Sequence, residues 1–469
     1  MTLQHAFFRR QQTFIALAAI VMLSFVAVSP ARAQDPAEPP GGKPAPKLPA
    51  WPSGRIPRSD VSEKDLRGII TQLVACGTRS TLSSWTDPKR GVGCGRDHIV
   101  ARFDQIAKAS GGRLQVVVDK WETSGPRTSG KTIHLENVYA ILPGTDPVLK
   151  KTIFIVSGHY DSRASNVMDA VSDAPGADDD GSGTAVSIEC ARLLADVVHK
   201  PLRATVLFAT VSGEEQGLYG GMRLEKWVKE QGYTVGGMLD NDIVGADFTP
   251  GAPHRVRLFS GNGEVDDCDG PARELSRLIE EIDGVHAIRM IFRLDRYGRG
   301  GDQMPFYRAG DPAVRFTEPV ENYHHEHQTP RTENGVFYGD EEKFLNFQFM
   351  GNVAHDNAEA LRELALAPAP PTDVILTGAV TPSAKLAWKA EPDAERAGLE
   401  VLWRETTNPR WSVYDYVTSG DSYVFKDVST DNHYFAVRAV GKNGARSIAV
   451  PGQPPPRQQP PWMQKPKGH

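Results

Sequence analysis

Hydrophobic and polar positions follow two patterns along the chain. From about 59 to 366, short apolar runs alternate with stretches of helical spacing. Thr152-Ile-Phe-Ile-Val-Ser157 and Val206-Leu-Phe-Ala-Thr-Val211 are rich in β-branched and aromatic residues, as strands buried on both faces are. Between them Val186, Cys190, Leu193, Leu194 and Val197 recur at steps of three and four, which predicts a helix. Strand, helix, strand in this order predicts an α/β domain with a largely parallel sheet, closed by a helix over 341–366. Pro368-Ala-Pro-Pro371 breaks the pattern, so 367–371 is read as a linker. From 372 to 450, Leu386-Ala-Trp388, Glu400-Val-Leu-Trp-Arg404, Ser422-Tyr-Val-Phe425 and His433-Tyr-Phe-Ala-Val-Arg438 alternate apolar and polar residues. Turn residues separate them, and the stretch predicts a small all-β sandwich. No internal repeat is visible.

Three segments lack either period. Residues 34–58 are rich in Pro, Gly and Ala and read as a flexible spacer or a remnant pro-segment. Residues 451–469 are rich in Pro and Gln and read as a disordered tail. At the start, Arg9 and Arg10 precede an apolar run from Phe14 to Val28, followed by Ala31-Arg32-Ala33. Basic residues, an apolar core and A-x-A make 1–33 a secretory signal peptide, with an uncleaved anchor as the alternative. The residues after the arginine pair fit the general secretory route better than a twin-arginine signal. No other segment is long and apolar enough to span a bilayer. The mature chain is therefore expected to be exported, periplasmic or extracellular, without a membrane span. Disulfides are permitted there, and Cys76 and Cys94, each beside a glycine, are the favoured pair. Cys190 lies in the helical pattern and reads as a buried thiol; Cys268, in an acidic loop, has no assignment.

Composition narrows the function. The 469 residues are 40% hydrophobic and 24% charged, as in a globular protein of two or three domains. Lys+Arg 53 against Asp+Glu 58 gives a net charge of −5. That balance, with no basic face studded with aromatics, argues against a nucleic-acid partner. Four cysteines are too few for a disulfide-built scaffold.

Candidate chemistry gathers in short segments. Gly158-His159-Tyr160-Asp161-Ser162 ends a predicted buried strand. A carboxylate two residues beyond a histidine can hold the ring nitrogen that does not bind a metal. Alone, a hydrogen-bonded structural pair explains it as well. Asp178-Asp179-Asp180-Gly-Ser-Gly183 opens the predicted helix. It suits a solvated acidic loop, a calcium site, or a tight turn whose middle carboxylate is held inward by cations. Glu214-Glu215, in Ser212-Gly-Glu-Glu-Gln-Gly217, follows the second buried strand. Adjacent side chains diverge, so one Glu can bind metal while its neighbour faces a water. In open α/β sheets sites lie beyond the carboxyl ends of the strands. Asn241-Asp242-Ile243-Val244-Gly245 and Tyr323-His-His-Glu-His-Gln-Thr329 complete the set. Nitrogen and oxygen ligands without thiolate suit zinc, and two ions sharing one carboxylate would account for all the ligands.

In this order the motifs GHYDS, PGADDDGSG, GEEQGLYGG, DNDIVG and a late histidine resemble metallopeptidase family 28, the co-catalytic di-zinc aminopeptidases and carboxypeptidases. The resemblance covers about residues 60–366. It implies a three-layer α/β/α domain around a mixed sheet. It implies that His159 and Asp242 bind one zinc ion, that Glu215 and His327 bind a second, and that Asp179 bridges them. Glu214 would be the general base and Asp161 would orient His159. The implied substrate is a peptide or protein N-terminus. His327 is preferred over His325 because His-Gln-Thr matches the family's ending better. Two positions depart from the family. Gly301-Asp302-Gln303 stands where Ser-Asp-His is usual, and Tyr297 falls one position from an oxyanion-stabilising tyrosine. A glutaminyl cyclase, a carboxypeptidase and a non-catalytic binding protein are the competing readings. The sandwich resembles a fibronectin type III domain, on Trp388, Val401-Leu-Trp403 and Tyr434–Val440 followed by Asn443-Gly444. A contact with a surface polymer, a contact with the peptidase domain and a spacer role are all open for it.

Overall fold

One eight-stranded sheet organises the larger part of the chain. Its strands are β1 (Gln115–Thr123), β2 (Ile133–Leu142), β3 (Thr152–His159), β4 (Thr205–Val211), β5 (Thr234–Asn241), β6 (Val256–Phe259), β7 (Ile288–Ile291) and β8 (Ala313–Thr317), in the order β1-β2-β4-β3-β5-β8-β6-β7. The structure is a computed structural model that describes residues 46–52, 54–196, 201–247, 255–263 and 268–455. The signal segment 1–33, residues 34–45 of the spacer, Val197 and residues 456–469 of the tail lie outside the described residues.

β4, β3, β5 and β8 run parallel, and the apolar runs singled out in the sequence are β3 and β4, two neighbouring strands of this group. The sheet as a whole is mixed, not largely parallel. β1 and β2 pair antiparallel with each other, β2 is antiparallel to β4, and β6 is antiparallel to β8. β2 escapes the period-two signal because both its faces are covered, so its last eight positions are all buried.

Among the described residues seven α-helices flank the sheet: α1 (Glu63–Val74), α2 (Val92–Ala109), α3 (Gly181–Ala195), α4 (Tyr219–Glu230), α5 (Pro271–Asp283), α6 (Gln303–Arg308) and α7 (Phe347–Leu366). Side chains alternate across the strands. Val138, Ala140, Val156, Val206 and Phe208 pack with α1, α2, α3, α5 and α7. Tyr139, Ile141, Ile155, Leu207 and Ala209 pack with Leu224, Trp227 and Val228 of α4 and Phe306 of α6. Helices on both faces make three layers, α/β/α. Every residue of α3 except Arg192 is buried, since the helix lies between the sheet and α1 and α7. The closing helix begins at Phe347, not 341. Asn346 caps it by accepting from the Phe349 N–H at 3.1 Å, and Glu342–Phe344 form a 3₁₀ turn before it.

A short hairpin, β9 (Arg331–Glu333) with β10 (Val336–Tyr338), precedes α7. Beyond it come β11 (Thr372–Thr377), β12 (Ala384–Lys389), β13 (Arg396–Glu405), β14 (Ser412–Val417), β15 (Ser422–Phe425), β16 (His433–Gly441) and β17 (Val450–Pro451). They form antiparallel sheets ordered β11-β12-β15 and β14-β13-β16-β17. All four alternating segments of the sequence fall on these strands.

The described residues belong to one compact unit, and the small sheets are docked on α5. Arg410 grips Glu280 with two hydrogen bonds of 2.6 and 2.8 Å. Trp411 Nε1 donates to Glu274 at 2.6 Å, and Arg404 pairs with Asp269 at 2.7 Å. Two boundaries differ from the sequence reading. The expected flexible spacer is packed where it is described: Ile56 is buried, its N–H bonds Glu359, and its carbonyl accepts from His355 Nε2 at 2.9 Å. The expected tail begins later, because Val450–Pro451 is a strand and the Gln453 N–H donates to the Val374 carbonyl at 2.9 Å. Proline content marked both segments as loose, but a few anchoring residues dock the parts of them that are described.

Candidate metal centre

The ends of β3, β4 and β5 and the start of α3 meet at one point of the sheet edge. Glycine makes the approach possible. A Cβ on Gly158 would lie 2.2 Å from the Gly183 carbonyl carbon, and one on Gly183 would lie 2.0 Å from the Asn241 carbonyl oxygen. The first turn of α3 is thus wedged between two strand ends, which sets the acidic triplet beside His159 and Asp242.

The three aspartates divide their work. Asp180 caps α3, accepting from the Gly183 N–H at 2.9 Å, and its second oxygen accepts from the His159 N–H at 2.9 Å. Asp178 accepts from the Gly245 N–H at 2.7 Å. Asp179 alone turns its carboxylate inward, as the sequence suggested for the middle residue. Its Oδ1 is 3.2 Å from His159 Nε2, and its Oδ2 is 2.9 Å from His327 Nε2. Asp242 Oδ2 stands 3.8 Å from His159 Nε2, and Glu215 Oε1 3.2 Å from His327 Nε2. The result is two triads of donor atoms, His159–Asp179–Asp242 and Asp179–Glu215–His327, which share one carboxylate.

The donors fit a cation. His159 Nδ1 is 3.0 Å from the Asp161 carbonyl, which assigns the ring proton to Nδ1 and leaves the Nε2 lone pair facing two carboxylates. His327 Nε2 also faces two carboxylates but can donate only one hydrogen bond, and the buried Glu215 Oε1 has no hydrogen-bond partner among the described residues. Lone pairs converging on a buried point are costly unless positive charge sits among them. The field there favours such charge. Burial would lower the His327 pKa, but Glu215 and Asp179 raise it to about 11. Burial would raise Asp179, yet the two imidazoles hold it well below the usual carboxylate range.

Asp161 does more than the expected contact to His159. The ring is held by its backbone carbonyl, with the carboxylate farther off at 3.5 Å. That carboxylate accepts from Thr81 Oγ1 at 2.6 Å and from the N–H groups of Glu214 and Glu215, both at 3.3 Å. One residue therefore positions the first histidine and the Glu pair together. Glu214 lines the same cleft as Asp179, Glu215, Asp242 and His327, a space of about 580 Å³. Burial of its carboxyl, with Glu215 and Asp242 nearby, holds Glu214 well above its usual pKa.

His325 does not reach the cluster; its ring stacks on Phe344 with centroids 3.7 Å apart. Tyr297 is 87% exposed, and the guanidinium of Arg293 lies over its ring. The departure at Gly301-Asp302-Gln303 has a physical reason. Arg315, fully buried on β8, pairs with Asp242 Oδ1 at 2.7 Å and donates to the Gly300 carbonyl at 2.8 Å. A Cβ at position 301 would lie 2.4 Å from Arg315 Nη1. Gln303 donates to Asp295 Oδ2 at 2.7 Å, and that same oxygen lies 3.6 Å from Arg315. Sequence reasoning missed Arg315. It also missed Asp340, which accepts from the N–H groups of Asp178 and Asp179 at 2.8 to 3.0 Å.

Comparison with known proteins identifies the family. Residues 137–337 match the family described as Peptidase family M28. A Leptosphaeria maculans protein described as a probable zinc metalloprotease is 38% identical over 414 residues, 83% of this chain and 94% of that one. A Pyrenophora tritici-repentis protein of the same description is 37% identical over 416 residues, 83% of this chain and 85% of that one. The crystal structure of the Legionella pneumophila LapA aminopeptidase shares the fold, with a TM-score of 0.50 over 66% of this chain and 73% of that one, at 19% identity. With relatives this similar over most of its length, the chain belongs to Peptidase family M28.

Proposed function

We propose that the protein is an exported, zinc-dependent exopeptidase, an aminopeptidase acting on free N-termini of peptides or proteins. One observation carries this reading: the two oxygens of Asp179 face two different histidines, each with its own second carboxylate. His159 and Asp242 would hold one zinc ion, His327 and Glu215 another, with Asp179 between them. Bound there, the ions supply Lewis acidity, which eases deprotonation of a water and polarises the scissile carbonyl. The remaining work falls to the chain. A Glu214 carboxylate oxygen takes the proton of the attacking water and returns it to the leaving amine. Asp161 fixes the backbone from which Glu214 and Glu215 diverge. The cleft of about 580 Å³ suits a small ligand or a chain end.

Export is supported by the signal-like N-terminus and by the disulfide joining Cys76 and Cys94, a bond that persists in oxidising compartments. Among the described residues no helix is long and apolar enough to cross a membrane. The alternating strands after β10 support a fibronectin type III-like module.

The test uses the mature protein with unblocked and N-acetylated peptides, with and without chelator and zinc. Chelator-sensitive release of N-terminal residues, abolished by acetylation, is expected. Glu214→Gln should keep its metal and lose about a hundredfold to ten-thousandfold in kcat. Release that survives acetylation would sink the aminopeptidase assignment, and full activity in Glu214→Gln would remove that residue as the base.

A further inference from the structure

The four carboxylates in the cleft wall all have tasks in this scheme: Asp179, Glu215 and Asp242 as ligands, Glu214 for the proton. The four guanidiniums in the same wall, Arg127, Arg163, Arg296 and Arg299, have none. Two of them are neutralised by the protein itself. Arg296 lies 3.1 Å from Asp295 and 3.2 Å from Glu321. Arg299 meets Glu321 and lies 3.5 Å from Glu326.

Arg127 and Arg163 are different. Arg127 comes from the turn after β1 and donates through Nη1 to the Glu215 backbone carbonyl at 2.6 Å. Arg163 comes from the loop after β3. Its Nη1 is 3.8 Å from Glu215 Oε2, and it donates to the carbonyls of Ala164 and Ser165 at 3.3 Å. Among the described residues neither has a carboxylate within hydrogen-bond distance. Two loops distant in sequence thus bring two guanidiniums to the Glu215–His327 end of the cleft, held there mainly by backbone carbonyls and not by a close carboxylate. A guanidinium in that state matches a carboxylate in charge and in geometry.

We infer that Arg127 and Arg163 form a carboxylate-binding subsite, so that the preferred substrates carry a negative charge beside the scissile bond. The inference rests on the peptidase reading above. The carboxylate has two possible sources: an acidic side chain on the terminal residue, or the free C-terminus of a very short peptide.

Paired peptides separate the sources. Asp-Ala-Ala-amide against Asn-Ala-Ala-amide tests the side chain, and Ala-Ala against Ala-Ala-amide tests the free terminus. With zinc-loaded, full-length mature protein, the charged member of one pair should be favoured at least about tenfold in kcat/KM, chiefly through KM. Arg127→Met and Arg163→Met should each bring that ratio toward one, and Arg163→Lys should keep part of it. Equal turnover within both pairs would overturn the subsite, as would variants that slow both members of a pair alike. Glutarate binding, measured by calorimetry on the same proteins, covers the case of no turnover. Glutarate bound by the wild type and lost in Arg163→Met, with no peptide hydrolysed, would keep the subsite and overturn the peptidase reading. Neither binding nor turnover would overturn both.

Discussion

Arg315 Nη2 lies 2.7 Å from Asp242 Oδ1, while the other oxygen of that carboxylate faces His159 at 3.8 Å. A candidate ligand is thus clamped from behind by a guanidinium with no access to solvent. Arg315→Met would leave the buried Asp242 without its guanidinium, while Asp295 keeps Arg296 at 3.1 Å. Losing one partner of a buried pair costs about 3 kcal/mol or more. A cation held by Asp242 replaces part of the missing charge, so the loss should be smaller with zinc than without it. Denaturant melts of both proteins in zinc and in chelator measure this. Equal losses in the two conditions would show that Arg315 supports the fold and not the ligand.

Local motifs made most of the site legible in the sequence. His159, Asp179, Glu215 and Asp242 stand beside glycines such as Gly158 and Gly183, which the close approach of α3 to β3 and β5 requires. His327 was harder, since three histidines crowd four positions. The backbone at His327 is left-handed, φ 52°, and its ring faces Asp179 and Glu215, while His325 stacks on Phe344. Arg315 and Asp340 left no local trace, because their partners lie 73 and 162 residues away. The same holds for the fold. β3 and β4 carry continuous apolar runs, and α3 carries apolar residues at helical spacing. β1 is a half-exposed edge, and β6 and β7 are four residues each, too short for a period to show.

Metal stoichiometry tests the shared carboxylate. His327→Ala leaves His159, Asp179 and Asp242 intact, and should retain one zinc ion per chain. Asp242→Ala should retain the other. Asp179→Ala removes a donor from both triads and should weaken both sites. Elemental analysis after dialysis at controlled free zinc gives the counts. If Asp179→Ala still holds two ions tightly, Asp179 is not the bridge.

Glu363 on α7 gives stability a dependence on pH. Its carboxyl is 1% exposed and one oxygen has no hydrogen-bond partner among the described residues. Burial raises its pKa to about 7, against the pull of Arg362 at 2.7 Å. The folded state therefore keeps this proton while the unfolded chain has lost it. Stability should fall as pH rises from about 4.5 to about 7 and level off above that, by up to about 3 kcal/mol from this group. Glu363→Gln mimics the protonated form. It should match the wild type near pH 4 and exceed it at pH 8 in chemical denaturation. A variant less stable than the wild type at pH 8 would reverse the sign of this account.

The C-terminal sheets and the peptidase domain should unfold together. Arg438 on β16 donates to Glu400 at 2.6 Å within its own sheet, and to both oxygens of Glu281 on α5 at 2.5 and 2.8 Å. Trp411 and Arg410 reach Glu274 and Glu280 on the same helix. These three acids lie on one helix and meet their partners across the junction, so separating the parts strands charge on both sides. Arg438→Met should cost about 3 kcal/mol, since Glu400 is fully buried and Glu281 loses both bonds. In urea, tryptophan fluorescence and far-ultraviolet dichroism should report one coincident transition for the wild type. Two separated transitions would mean that the sheets are an independent spacer, tethered at 367–371 and held by contacts too weak to couple the folds.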